Sequence, residues 1–247
     1  MSAKVIVITG ANGGLGSALA KQFAADGDKV VLLGRTLSKV RDVAGVIGEN
    51  AVAFQCDVTS PDSVRAAFAE IASLHGRIDV LINNAAIFQP FLIEEASDSQ
   101  IMNGVLANLA GPILCARSAI PLLNAGGHII NISSESVEVN IPHLCVYQAT
   151  KAGVEQFSKD LNRELHERGI RVTTVRAGQM TGENQATEMD MEAFGRMFQE
   201  AAKRGIHLME RGVSTYASTT YIFRAIIDSP ADVQIGAVTF QARPVVA

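Results

Sequence analysis

Residues 5–16 read VIVITGANGGLG, and this stretch decides the fold. The β-branched run from Val5 to Ile8 is typical of a buried strand, and a helical pattern follows the glycines. Glycine adopts positive φ and allows close backbone approach, so such a turn can hold a pyrophosphate at the helix N-terminus. The alternative is a glycine-rich turn that binds nothing. The turn residues predicted to bind a dinucleotide are Gly10, Asn12, Gly13, Gly14, Leu15 and Gly16.

Short apolar runs recur between helical patterns along the rest of the chain. Together with residues 5–8 they lie at 30–33, 52–54, 80–82, 129–132, 172–175 and 238–240. Strands that alternate with helices form parallel sheets, and continuously apolar strands are covered on both faces. The sequence therefore predicts an α/β fold, a Rossmann-type doubly wound parallel sheet of seven strands with helices on both faces. We expect one domain over residues 1–247.

Three helices have clear signals. Ser60 and Pro61 resemble an N-cap followed by proline at the first helical position, and they predict a helix to about Leu74, before Gly76. Two longer helices are predicted over residues 108–123 and 150–168, the second ending at Gly169.

Composition excludes several classes of function. The chain has 21 basic and 25 acidic residues with no long run of either sign, which argues against nucleic acid or an anionic membrane as partner. Its 3 cysteines are scattered, as expected of reduced thiols in a cytoplasmic protein. We find no cleavable leader, no stretch approaching a membrane span and no metal-ligand spacing among the 5 histidines.

Tyr147 and Lys151 have the spacing of residues one turn apart on a helix. A tyrosine phenol has an unperturbed pKa of about 10, which is too high for a general base near neutrality. A neighbouring ammonium favours the phenolate and so lowers this pKa. The same spacing also occurs by chance in ordinary helices. Its interpretation therefore depends on the rest of the chain.

The residues after the second strand indicate which dinucleotide is bound. This strand ends at Gly34 and is followed by Arg35 and Thr36, with no carboxylate to accept a ribose 2′-hydroxyl. An arginine there pairs with the 2′-phosphate of NADP, so we expect NADP in preference to NAD. Alternatively, Arg35 only caps the end of the sheet.

Taken together, these motifs resemble the short-chain dehydrogenase/reductase family in its single-domain form. Residues 9–16 are similar to the T-G-x-x-x-G-x-G cofactor motif, Asp57-Val58 to the pair that contacts adenine, and residues 83–86 to N-N-A-G, with Ala86 replacing glycine. The cofactor site that the resemblance implies also includes Asn84, Ala85, Ala177, Gly178 and Thr181, besides Tyr147 and Lys151.

The resemblance implies a catalytic tetrad of Asn108, Ser134, Tyr147 and Lys151. Hydride would pass between NADP and a carbonyl or secondary alcohol, with Tyr147 moving the proton, Ser134 binding the substrate oxygen, and Lys151 holding the ribose and lowering the Tyr147 pKa. Asn108 would hold a water that links Lys151 to solvent. Ser134 as a strand-end hydroxyl and Asn108 as a polar plug in a helix are the plain alternatives.

The resemblance weakens after Thr181. Ala177-Gly178 stands where Pro-Gly is usual, Ile235-Gly236 replaces Thr-Gly, and the usual Asp-Gly-Gly is absent near Phe240. The two long helices would pair across a two-fold axis, which implies a homodimer, or a homotetramer if the altered C-terminus still supports one.

Residues 180–212 are expected to cover the substrate. They contain five methionines, Met180, Met189, Met191, Met197 and Met209, and helical spacing places Met191 with Phe194 and Phe198. Such a lid suits a small to medium apolar substrate, although these side chains could instead cover the sheet or an interface. His143 could line the pocket or lie at the surface. A non-catalytic protein that senses the NADP redox state is the alternative function.

Overall fold

A computed structural model describes residues 3–182 and 190–243 and contains a central parallel sheet. The strands are β1 (Val5–Thr9), β2 (Lys29–Gly34), β3 (Ala51–Gln55), β4 (Ile78–Asn83), β5 (Leu123–Ser134), β6 (Arg171–Ala177), β7 (Met180–Thr181), β8 (Ser214–Thr215) and β9 (Ala237–Phe240). The seven-stranded sheet has the order β3-β2-β1-β4-β5-β6-β9, while β7 pairs only with β8. The predicted seven-stranded doubly wound sheet is confirmed.

The helices follow the strands and cover both faces of the sheet. They are α1 (Gly14–Ala25), α2 (Leu37–Ile47), α3 (Pro61–His75), α4 (Asp98–Val105), α5 (Gly111–Ala119), α6 (Ser136–Val139), α7 (Cys145–Glu164), α8 (Met191–Lys203) and α9 (Tyr216–Ile227). One apolar cluster joins the sheet to α1 and α9 through Phe23 and Phe223. A second joins it to α3 and α5 through Phe68 and Cys115.

The capping signal for α3 is confirmed, but both long helices begin earlier than predicted. Ser60 Oγ accepts a hydrogen bond from Ser63 N, and Gly76 ends α3. The helix predicted over 108–123 starts at Asp98, because Ser97 and Gln100 form a capping box. The helix predicted over 150–168 starts at Cys145, where the N-cap residue forms no side-chain cap bond. That start therefore has no sequence signal.

A π-helical turn, Leu106–Ala110, joins α4 to α5. The helical segment Asp98–Leu122 contains an 18-residue window with a mean hydropathy of 1.4 and, by length and composition alone, could cross a membrane. Here it packs against α3 and α7, and Cys115 and Ala119 are fully buried in the second cluster. We interpret it as a core helix that flanks the sheet.

Candidate active site

The glycine turn between β1 and α1 is packed too closely for side chains. Gly10 has a φ of 65°, and a Cβ there would lie 2.8 Å from Ala85 Cα. A Cβ on Gly16 would lie 2.6 Å from Gly10 O. Backbone therefore lines this cradle, and α1 begins at Gly14 with its N-terminal amide groups beside it. This is the geometry that a pyrophosphate requires.

Two side chains tie the turn to the end of β4. Asn84 Nδ2 donates to Thr9 O at 2.9 Å and to Gly10 O at 3.1 Å. The Thr9 hydroxyl accepts from the backbone amides of Asn84 and Ala85, both at 3.0 Å. The carbonyls of the turn are thus held by the protein itself. Ala86 follows on the exposed side.

At the far end of the cradle, Arg35 and Thr36 are exposed between β2 and α2. Within the described part of the chain, the Arg35 guanidinium makes no hydrogen bond or ion pair, and the first turn of α2 holds no acidic residue. Arg35 therefore does not use its side chain to cap the sheet. A helix N-terminus without carboxylates beside a cation suits a phosphate group.

Asp57 and Val58 follow β3 and are partly buried. Asp57 Oδ1 accepts from Thr59 N at 3.0 Å and from Thr59 Oγ1 at 2.7 Å, which fixes the carboxylate. Val58 packs against Gly111, where a Cβ would lie 3.0 Å from its Cγ2. The pair thus has a fixed position at the carboxyl edge of the sheet.

Ser134, Tyr147 and Lys151 come together at the carboxyl end of β5. Ser134 is the last residue of that strand, and Tyr147 and Lys151 occupy the first two turns of α7. Lys151 is 3% exposed, and its Nζ donates to Ile132 O at 2.8 Å and lies 5.7 Å from the Tyr147 ring centroid. The strand and the helix therefore place a hydroxyl, a phenol and an ammonium in one group.

Burial shifts the pKa of both Tyr147 and Lys151. Burial raises the pKa of Tyr147 to about 12, and the neighbouring Ser134 hydroxyl opposes that rise. Burial also lowers the pKa of Lys151 to about 8. Desolvation of the phenolate dominates the Tyr147 pKa here. The expectation that Lys151 lowers this pKa together with the positive charge of the oxidised nicotinamide stays a prediction.

Asn108 lies buried in the π-helical turn. Its Oδ1 accepts from Ile87 N at 2.7 Å and its Nδ2 donates to Ile87 O at 2.9 Å, so both polar ends of the side chain are used. A cavity of about 10 Å³, the size of roughly one water, is lined by both Asn108 and Tyr147. The role of Asn108 in holding a water stays a prediction.

Aromatic side chains form one wall beside Tyr147. Phe88 packs edge-on against Tyr147, with ring centroids 4.9 Å apart, and its ring lies 5.5 Å from that of Phe194 in α8. Met197, also in α8, is 3% exposed and belongs to the same apolar cluster. The described part of the predicted lid therefore presents an apolar surface towards the phenol.

The other lid methionines do not share this surface. Met191 and Met209 are 74% and 81% exposed, so the predicted grouping of Met191 with Phe194 and Phe198 is wrong; helix α8 turns Met191 outward. Met180 packs near Tyr216 and the sheet. Met189 lies outside the described residues, as does the rest of 183–189.

His143, by contrast, is buried rather than at the surface. It is 6% exposed with a φ of 65°, and neither ring nitrogen has a hydrogen-bond partner in the part of the chain that the structure describes. Its carbonyl accepts from Phe91 N at 2.9 Å.

Ala177 is the last residue of β6, and Gly178 and Thr181 follow it. Gly178 N donates to Phe240 O at 3.0 Å, and Thr181 is exposed in β7. Sequence reasoning missed Tyr216, whose ring contacts this segment: a Cβ on Gly182 would lie 2.6 Å from its Cδ2, and one on Gly14 would lie 3.6 Å from its Oη. No local pattern marks Tyr216, since its contacts are distant in sequence.

A buried ion pair anchors the C-terminal end of the lid. Glu135, the residue after Ser134, is buried and accepts from Arg211 Nη2 at 2.7 Å. This pair was also not predicted, because neither residue belongs to a motif. It fixes the segment before β8 beside the end of β5.

The short chain dehydrogenase family model matches residues 4–193. The chain belongs to this family. Its members are oxidoreductases that bind nicotinamide cofactors and act on small molecules. The match covers the glycine turn and all four predicted tetrad residues and stops within α8.

Individual relatives agree with this assignment. Carbonyl reductase family member 4 of Danio rerio is 31% identical over 229 residues, which cover 92% of each chain. A short-chain dehydrogenase from Streptomyces avermitilis superposes with a TM-score of 0.82 at 26% identity, covering 97% of this chain and 88% of its own. A metagenomic short-chain oxidoreductase solved with NADP superposes with a TM-score of 0.78 at 25% identity, covering 99% and 98%.

Proposed function

We propose that this protein is an NADPH-dependent oxidoreductase that reduces a carbonyl, or oxidises the corresponding secondary alcohol, on a small to medium apolar substrate. The carrying observation is the group formed by Ser134, Tyr147 and buried Lys151 beside an aromatic wall. Arg35 at an acid-free helix N-terminus supports NADP, as does the NADP complex of the metagenomic relative.

The cradle residues fit a dinucleotide, and bound NADPH would supply the hydride. Tyr147, with a pKa of about 12, is protonated at neutral pH and donates its proton to the substrate oxygen. Ser134 donates a hydrogen bond to the same oxygen and stabilises its developing charge. Lys151 holds the ribose hydroxyls.

The wall beside Tyr147 supports the substrate class. Phe88, Phe194 and Met197 offer apolar and polarizable contacts. A bulky charged group would lose its hydration there without a charged partner. We therefore propose ketones or aldehydes with an apolar body as substrates.

The test replaces Tyr147 by phenylalanine. We expect Tyr147→Phe to bind NADPH as the wild type does and to lose turnover by about 10²–10⁴-fold, the usual contribution of a general acid. Tyr221→Phe is the matched control, because Tyr221 is 68% exposed on α9. Near wild-type turnover in Tyr147→Phe, across a panel of ketones, aldehydes and quinones, would contradict the proposal.

The same panel separates an enzyme from a redox sensor. A sensor would bind NADPH but would not oxidise it in the presence of any carbonyl compound in the panel. Binding can be followed by NADPH fluorescence, because the chain has no tryptophan and its own fluorescence is weak. The complete set of Asn108, Ser134, Tyr147 and Lys151 favours the enzyme, because a sensor has no need for a proton donor.

We also propose a homodimer formed through α4, α5 and α7. Met102 and Ile113 on the apolar segment Asp98–Leu122 are 52% and 38% exposed, and a second copy would cover them. Light scattering should show a dimer or tetramer for the wild type and a smaller species for Ile113→Glu. A monomeric wild type would contradict this.

A further inference from the structure

A cavity of about 120 Å³ lies at the amino edge of the sheet, at the opposite ends of the strands from Ser134. It is formed where β5 bulges: Ile78 pairs with Leu123 and Val80 with His128, so Asp79 alone faces residues 124–127. The residues used below all line it: Lys4, Arg77, Asp79, His128 and Arg171.

His128 lines this cavity and has one imidazole nitrogen without a partner in the described residues. It is 1% exposed, and its Nε2 lies 2.8 Å from Thr173 Oγ1. The Thr173 hydroxyl gives its proton to Ile235 O at 2.6 Å, so it accepts from Nε2–H. Nδ1 is then the unprotonated nitrogen, and it is buried with no partner among residues 3–182 and 190–243.

This histidine is neutral under ordinary conditions. Burial, with a smaller contribution from the charge of Arg171, lowers the pKa of His128 to about 3. Nδ1 therefore keeps its lone pair at neutral pH and can only accept a hydrogen bond.

Arg171 also lines the cavity, and one of its N–H donors has no partner in the described residues. Its Nη1 donates to Ser229 O at 3.0 Å and to Ser229 Oγ at 2.6 Å, which holds the guanidinium against the end of α9. Its Nε–H is buried without a partner in the described residues, and the guanidinium forms no ion pair there. A half-buried cation without a carboxylate is costly unless an anion approaches it.

The charges around the cavity are mostly positive. Arg77 is 58% exposed and its Nη1 lies 3.8 Å from Asp79 Oδ1, too far for a strong pair. Lys4 is paired with Asp228 at 3.0 Å. One lining carboxylate, Asp79, therefore faces three lining cations.

We propose that this cavity binds a small oxyanion that also carries a proton on oxygen, such as hydrogen phosphate or a 2-hydroxycarboxylate. The anionic oxygen would accept from Arg171 Nε–H, and the protonated oxygen would donate to His128 Nδ1. Arg77 would attract the anion from the exposed side. The site is separate from the glycine cradle and does not depend on the proposed reaction.

The test compares anions that differ by this proton, by isothermal titration calorimetry on the full chain at constant ionic strength and pH 7. Phosphate is paired with sulfate, and lactate with propionate. We expect phosphate, lactate or both to bind at least about 5-fold more tightly than the partner anion that lacks the proton. The proposal is overturned if neither phosphate nor lactate binds at concentrations up to 50 mM, which is the result expected of a cavity that holds only water. It is also overturned if sulfate and propionate bind as tightly as phosphate and lactate.

Variants locate the binding. Arg77→Ala should weaken binding of the anion by about 3–10-fold. Arg65→Ala, which removes an arginine of similar exposure on α3, should not change this binding. Arg35→Ala should also leave anion binding unchanged. Loss of binding in this variant would show that the anion occupies the cofactor site, and would overturn the proposal. His128→Leu should remove the preference over the partner anion, and its urea midpoint shows whether it folds.

Discussion

The glycine turn and the lid segment, residues 180–182 and 190–212, are held by different kinds of interaction. Backbone contacts and the hydrogen bonds of Thr9 and Asn84 hold the turn. A Cβ added to Gly16 would lie only 2.6 Å from the carbonyl oxygen of Gly10. Apolar packing of Met197 and Phe194, together with the pair Glu135–Arg211, holds the lid.

This difference indicates how each region tolerates change. Close backbone packing leaves no room for another atom, so the turn admits few sequences and is easy to detect as a motif. Side-chain packing can be rebuilt with residues of similar volume, so the lid admits many sequences. The family match accordingly covers the turn and ends at residue 193.

In the comparison of the turn with the lid, the largest expected effect comes from adding one methyl group to the turn. In Gly16→Ala the new Cβ would displace Gly10 O or Asn84 Nδ2, and we expect NADPH affinity to fall about 100-fold in a fluorescence titration. Gly45→Ala is the control: nothing lies within 4 Å of its Cβ, so affinity should stay constant and stability should rise by about 1 kcal/mol. Wild-type affinity in Gly16→Ala would show that the turn is as tolerant as the lid.

The next effect separates the two nicotinamide dinucleotides. Arg35→Ala removes a cation from the start of α2, and we expect the KM for NADPH to rise about 10–100-fold while that for NADH changes little. Arg41→Ala, also exposed but further along α2, should change neither. Equal effects of Arg35→Ala on both cofactors would contradict a role in binding the 2′-phosphate.

The sequence predicted the sheet and the glycine turn because each depends on local patterns. Val5 to Ile8 and the glycines after it determine a strand, a turn and a helix within a few residues. Ser134 ends a recognisable strand, whereas Tyr147 and Lys151 lie in the first turns of α7, whose start has no sequence signal.

The remaining features depend on contacts between distant residues. The pairing of Glu135 with Arg211 and the contact of Tyr216 with Gly182 have no local signal. The burial of His143, and the outward direction of Met191, follow from how the loop and α8 pack. The raised pKa of Tyr147 also required the structure, because spacing alone gives its distance from Lys151 but not its desolvation.

Lys151 shows what this desolvation means for stability. Its pKa is about 8 in the folded chain against 10.5 as the ordinary value, so the unfolded chain binds more protons between those pH values. Stability should therefore rise with pH across that window, by at most about 3 kcal/mol. Tyr147 acts in the opposite sense between pH 10 and 12, because its folded pKa is raised.

Lys151→Met should remove this pH dependence. At pH 7 we expect the variant to be more stable than the wild type by about 1–2 kcal/mol in urea unfolding, with the lost bond to Ile132 O reducing the gain. Lys159→Met, an exposed lysine on the same helix, should have little effect at any pH. A less stable Lys151→Met at pH 7 would mean that the ammonium stabilises the fold.

The smallest expected effect lies in the lid. Met197→Leu keeps the volume of a buried side chain beside the aromatic wall but removes a flexible thioether. We expect the KM for carbonyl substrates to change by about 2–5-fold, with a different order of preference across the panel, and the KM for NADPH to stay constant. Met209→Leu, at a position 81% exposed, should change neither. If Met197→Leu altered the cofactor KM instead, the lid and the glycine turn would be coupled, and the contrast between a rigid turn and an adaptable lid would have to be abandoned.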